Sequence, residues 1–307
     1  MASATLLQPH IDAARGRNEV QRVLRSAPEG VGRSHLLSSL GAGLRVSLGR
    51  GRLTAELLKT FLPTSVDDDA TWRALRASPL LTELEDERAT HAAELLASLL
   101  GIRRAEFRIA KLDEDSRREG AFLELARWVS SRAREGLVLA IDDAHLVDDD
   151  GAAFLEFLSQ REEPLPLVLL VSHDSDEVRF TPAFRARRAA WLLDARWQSV
   201  ALPTPPRARV VELLTQAGAD ASRAAFLAEA AHDNPGLALG LHDVTRASAE
   251  LDLSTLPRTD DGLRLHRIKL HGDGVTRACG TLAVLGGVAP TRALAAVDPA
   301  LPETLAS

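Results

Sequence analysis

The segment that most constrains this chain is Leu137-Val138-Leu139-Ala140-Ile141, five apolar residues that run directly into Asp142 and Asp143. An unbroken apolar run of this length fits a strand buried on both faces of a parallel sheet, because a strand with one wet face alternates. The carboxylates then fall at the carboxyl end of the strand, where open α/β sheets bind their ligands. In that position the first acid orients a metal-bound water and the second polarises an attacking water. The competing reading is a buried strand that ends in a solvated acidic turn.

The rest of the pattern places this strand in an alternating series. Residues 19–26 read as a short strand or a helix end, and Ala27 to Ser34 as a turn-rich loop before a helix at 35–40 that Gly41 and Gly43 end. Leu44 to Leu48 alternates like a strand. Helices are expected from 53 to 135, interrupted at Pro63, at Asp67-Asp68-Asp69 and at Pro79. A helix over 151–160, a buried strand over 166–171 and a third over 197–202 follow. Strands alternating with helices predict a parallel α/β sheet over residues 1–202. Pro203, Pro205 and Pro206 make a stiff connector. Residues 203–250 read as helices broken at Asn234-Pro235-Gly236, and 251–307 as a polar linker with one clear helix at 275–285.

Composition narrows the function. A length of 307 residues allows about two domains. The one cysteine, Cys279, forbids an internal disulfide and reads as a buried thiol. Met1 to Arg17 has no basic start followed by an apolar core, and no apolar run approaches the roughly 20 residues of a membrane helix. A soluble, cytoplasmic protein without a membrane partner is expected. A net charge of −6 and the absence of tyrosine argue against a nucleic-acid surface. The basic cluster Arg185, Arg187, Arg188 reads as a solvated helix face.

A second motif lies upstream. A phosphate loop reads G-x-x-x-x-G-K-[ST], because backbone amides cradle phosphates, the lysine reaches the terminal phosphates and the hydroxyl binds magnesium. Here Ala27, Gly32, Arg33 and Ser34 take those places, with Gly30 inside the loop. The second glycine and the hydroxyl are kept; alanine replaces the first glycine and arginine the lysine. Arginine keeps the charge and binds phosphate bidentately, but its planar head does not reproduce a compact ammonium.

Taken together, the chain resembles the AAA-like ATPase modules of bacterial STAND-type signalling proteins, as in the large LuxR-type regulators. Pro28 to Leu37 resembles the phosphate loop and its helix. Leu137 to Leu158 is similar to the Walker B segment with its Asp-Asp-x-His-x-x-Asp extension, which takes in His145 and Asp148. Leu167 to Ser172 resembles the sensor strand, and Asp233 to Leu237 the Gly-Asn-Pro turn of the helical lid. Residues 251–290 resemble the start of a winged-helix-like region. The resemblance implies a P-loop NTPase-like core over 1–202, a lid over 203–250 and a partial winged-helix-like region over 251–307. It implies ATP bound by Glu29, Gly30, Val31, Gly32, Arg33, Ser34 and His35, with Mg²⁺ at Ser34 and Asp142 and Asp143 as the catalytic acid. By analogy with additional-strand ATPases, it places strand 167–171 between the Walker B strand and the first strand.

Two departures bear on activity. The Gly-Arg-Glu box of the family is echoed at Ala14 to Glu19, leaving no room before Ala27 for both the helix and the strand of the family, so either 19–26 serves as the strand or the first strand is missing. Ser172 is followed by His173 where the family has arginine. The expected function is an ATP- and magnesium-binding regulatory switch with slow or absent hydrolysis, linked to protein partners or further domains. The alternative is a degenerate scaffold that binds protein and no nucleotide.

Overall fold

The computed structural model describes residues 2–38, 43–47, 52–62, 67–133, 137–161, 165–177, 180–247, 260–270 and 273–284. They fall into two compact units, Met1–Ala27 with Ser34–Ala201, and Pro28–Arg33 with Leu202–Ser307.

The first unit is built on a parallel sheet. Helix α1 (Ala2–Arg17) leads into β1 (Gln21–Ala27), and α2 (Arg33–Ser38) into β2 (Gly43–Ser47). The helices α3 (Leu53–Lys59), α4 (Asp68–Arg76), α5 (Pro79–Thr82), α6 (Asp86–Leu99) and α7 (Glu114–Ala133) follow, with a 3₁₀ turn at Arg108–Lys111. Then come β3 (Leu137–Asp142), α8 (Asp149–Ser159), β4 (Leu167–Asp174), α9 (Pro182–Leu193) and β5 (Trp197–Ala201). The five strands run parallel in the order β2-β3-β4-β1-β5. This is an α/β fold whose sheet is of the P-loop-like kind, and β4 lies between β3 and β1 as expected.

The apolar strands are continuous because both faces are covered. Every residue of β3 and β4 is buried. Leu139 and Ile141 face one core with Leu24, Leu169, Phe154 and Trp128. Val138 and Ala140 point the other way, into a smaller core with Ala14, Val23, Leu37 and Leu170. The segment 19–26 therefore provides a strand, and α1 covers that second face.

Turn chemistry sets the helix ends of the central region. The Asp67 side chain accepts from the Asp69 N–H and starts α4, and Pro79 occupies the first turn of α5. Pro63 lies outside the described residues, as does Gly41. Gly43 does not end a helix; it opens β2. The basic cluster lies on α9, where Arg188 pairs with Glu177 at 2.8 Å.

The second unit contains α10 (Arg207–Gln216), α11 (Ala221–Ala230), α12 (Pro235–Ala247), α13 (Asp260–Leu270) and α14 (Asp273–Val284). Val210, Leu214, Leu227, Leu241 and Leu263 form its core. The linker reading of the region after 251 is corrected at α13, whose Leu263 is buried against this core. Cys279 is half-buried, less covered than expected. Of the region 251–307, residues 251–259, 271–272 and 285–307 lie outside the described residues. No helix among the described residues is long and apolar enough to cross a membrane.

Candidate functional site

Strand alternation positions the first group. Asp142 lies two residues beyond Ala140 and shares its face of the sheet. In the parallel register Arg45 of β2 lies opposite Ala140, which sets its side chain diagonal to Asp142. Arg45 Nη2 donates to Asp142 Oδ2 at 2.9 Å, and Ser34 Oγ, from the first turn of α2, donates to the same oxygen at 2.6 Å. Asp142 Oδ1 accepts the backbone N–H of Asp143 at 3.1 Å. Asp142 is fully buried, so a charged carboxylate there needs these partners. The structure thus joins two residues 108 positions apart, the loop hydroxyl and the first acid of the strand.

Asp143 follows at a sharp change of direction. Its backbone is left-handed, with φ 55°, a conformation that aspartate tolerates better than most side chains. It opens a 3₁₀ turn at Ala144–Leu146 and is half-buried. The neighbouring polar residues have structural work. Asp148 accepts from the Gly151 N–H at 3.1 Å and caps α8, while buried His145 accepts the Asp174 N–H on Nδ1 at 3.3 Å. His173 is buried with its ring against Phe180 and Phe184. Ser172 lies opposite Arg25 of β1, fully buried, and its Oγ has no hydrogen-bond partner among the described residues.

The second group belongs to the other unit. Residues 28–33 leave β1 as a turn in which Gly30 and Gly32 have positive φ, 81° and 93°. The Asn234 side chain ties this loop to α12. Its Nδ2 donates to the Glu29 carbonyl at 2.6 Å, and its Oδ1 accepts the Leu237 N–H at 3.0 Å, capping the helix. The Gly236 N–H donates to the Gly30 carbonyl at 2.8 Å. The approach is so close that a Cβ on Gly236 would lie 2.6 Å from Gly30 Cα. Val31 and Arg33 are both 8% exposed. His35 lies in α2, with its side chain outside what the structure describes.

Of the expected site residues, Ser34, Asp142 and Asp143 are brought together in the first unit. Glu29, Gly30, Val31, Gly32 and Arg33 share the loop of the second. Arg45, Asn234 and Gly236 are additions. Arg45 has one signal in the sequence, a guanidinium inside an alternating strand; Asn234 and Gly236 are legible there as a helix break and as the lid turn of the resemblance, without their contact to the loop.

The fit to magnesium is mixed and turns on Arg45. Ser34 and Asp142 are the hydroxyl–carboxylate pair such an ion would use. Yet a guanidinium already neutralises the carboxylate, and a divalent cation would have to share it. No group of three His, Cys, Asp or Glu side chains able to hold a metal exists among the described residues.

No protein-family model matches the chain, and no curated protein matches it.

Proposed function

We propose that this chain is the nucleotide-binding regulatory module of a cytoplasmic STAND-type, AAA-like signalling protein, an ATP-binding switch with slow or absent hydrolysis. The observation that carries the reading is the 2.6 Å bond from Ser34 Oγ to Asp142 Oδ2, which brings the hydroxyl of the loop motif onto the first acid of the strand motif. The strand order supports it, since a strand inserted between the loop strand and the acid-bearing strand is the arrangement of additional-strand ATPases. On this reading Arg33 and the amides of Glu29 to Ser34 hold the phosphates. Asp143 would act on an attacking water, and three features keep that step slow. Arginine stands in the lysine position, His173 is packed against aromatic rings in place of an arginine, and Arg45 neutralises Asp142. Magnesium, where a nucleotide brings it, would supply charge neutralisation next to Ser34; no step here depends on it. Asn234 and Gly236 give bound phosphate a route to the helical lid, because they grip the loop itself. Further domains or protein partners would read the change.

One observation favours the scaffold alternative, in which the fold binds protein and no nucleotide. A carboxylate already balanced by Arg45 has less need of a ligand. Titration with a fluorescent ATP analogue, with magnesium and with chelator, separates the two. Saturable binding that Ser34→Ala weakens supports the switch. Absence of binding under both conditions refutes it.

A further inference from the structure

A cavity in the first unit is lined by none of the residues of the candidate site and does not depend on the nucleotide reading. It has a volume of about 190 Å³ and lies among α3, α6, α7 and the 3₁₀ turn at 108–111. Five arginines line it, Arg52, Arg103, Arg104, Arg117 and Arg118, against two carboxylates, Glu114 and Asp150. The wall is thus three charges positive on a chain whose net charge is −6. Ile102 and Phe107 give it a buried apolar floor.

The arginines divide by partner. Arg104 is bonded to Asp69 and stacked over Trp72, and Arg118 pairs with Asp115 at 3.0 Å. The side chains of Arg52, Arg103 and Arg117 have no ion pair or hydrogen bond among the described residues. A folded chain with more carboxylates than basic groups has acids to spare for pairing, yet these three arginines line one cavity without an acidic partner, while the lining carboxylate Asp150 lies 3.9 Å from Arg118. Unpaired like charges held together repel, and a bound anion relieves that repulsion.

We propose that this cavity is a binding site for a compact, multiply charged organic or inorganic anion of the phosphate or polycarboxylate class. Size decides the class. About 190 Å³ is below the roughly 300–1,000 Å³ of a drug-sized pocket and suits a ligand of about a dozen heavy atoms. Arginine forks bind phosphate and carboxylate oxygens bidentately, and the apolar floor holds a short carbon portion.

The test titrates the full chain with inorganic pyrophosphate and, separately, with citrate, at constant ionic strength set with chloride. Calorimetry reads affinity. Tryptophan fluorescence reads location, because Trp72 lies 4.9 Å from the Phe107 ring and under Arg104. Saturable binding is expected, weakened about tenfold or more by Arg103→Ala and by Arg117→Ala, each of which removes a charge-assisted contact. Trp72→Phe should remove the fluorescence change and spare the heat. Binding of both probes would assign any compact polyanion; binding of one assigns its class. Pyrophosphate binding that Arg33→Ala abolishes and Arg103→Ala leaves intact would place the anion on the phosphate loop and overturn the proposal. So would the absence of saturable binding by either probe.

Discussion

Replacing Arg45 by methionine tests the electrostatics of the site most directly. Methionine keeps much of the side-chain volume and removes the charge. Asp142 would then retain the Ser34 hydroxyl and the Asp143 N–H but lose its one ionic partner among the described residues. Removing one partner of a fully buried pair costs about 3–5 kcal/mol, because the other charge is stranded. Here Asp142 is 0% exposed but the Arg45 side chain is 34% exposed, so water reaches the vacated space. The expected loss is nearer about 1–3 kcal/mol, between the buried and surface limits. Urea unfolding of wild type, Arg45→Met, Asp142→Asn and the double variant gives the coupling energy. The double variant should be less destabilised than the sum of the singles, since neutral asparagine needs no cation. The same proteins carry a functional readout. Wild type should bind the ATP analogue about equally with magnesium or chelator, while Arg45→Met should bind better with magnesium. Additive losses would show that the ion pair contributes nothing. Wild-type binding that requires magnesium, unchanged in Arg45→Met, would refute the claim that Arg45 takes over the charge balance.

Arg33→Ala should weaken ATP binding roughly 10- to 150-fold, the worth of a charge-assisted phosphate contact of about 1.5–3 kcal/mol, while Arg33→Lys should hold or improve it; equal affinities by calorimetry would remove Arg33 from the site. Gly236→Ala should lower the stability of the helical unit by about 1–3 kcal/mol, because its Cβ would meet the Gly30 backbone at 2.6 Å. Gly240→Ala, whose Cβ meets only the flexible end of Leu263 at 3.1 Å, should cost less, and equal melting shifts would contradict this. Asp194 is held at a pKa of about 2 by hydrogen bonds from Arg196, below its usual 3.8. A depressed carboxyl contributes stability above its unfolded pKa, so that contribution should fade as pH drops from 3.8 towards 2. Carboxyl NMR of Asp194 should show that low midpoint, and a midpoint near 3.8 would mean the Arg196 contact does not form in solution.

How far the sequence reveals this molecule depends on whether a feature is periodic or diagonal. The strands β3 and β4 are legible because burial on both faces leaves no room for polar alternation. The Ser34–Asp142 contact is legible because each residue sits at the carboxyl side of a strand, and α/β topology gathers such positions. The start of the chain is harder to read. Helix α1 carries only a weak apolar stripe, so nothing in Ala2–Arg17 announced that Ala14 covers the sheet. Helix α13 lies among charged residues, and among its described side chains Leu263 is the buried leucine that marks it.

Arg45 shows where the limit lies. An arginine in an alternating strand reads as the solvent side of that strand, and nothing local to Leu44-Arg45-Val46 names its partner. The partner follows only from register, which sets Arg45 opposite Ala140 and so diagonal to Asp142. A slip of one residue would turn Arg45 to the other face and leave Asp142 buried with its hydroxyl and amide partners alone. Register is fixed here by Val46, which is 2% exposed and belongs to the larger core. The ion pair is therefore a consequence of hydrophobic packing on the opposite face. The same reasoning covers the loop. Gly30 and Gly32 look like a phosphate turn in the sequence, but what holds the turn is Asn234, a residue 205 positions from the Glu29 carbonyl it grips. The chemical groups of the site can thus be read from motifs, while the contacts that set their charge and shape come from tertiary register. Arg45 pairs with Asp142 and Asn234 grips the loop, and both residues lie outside the two motifs the sequence shows.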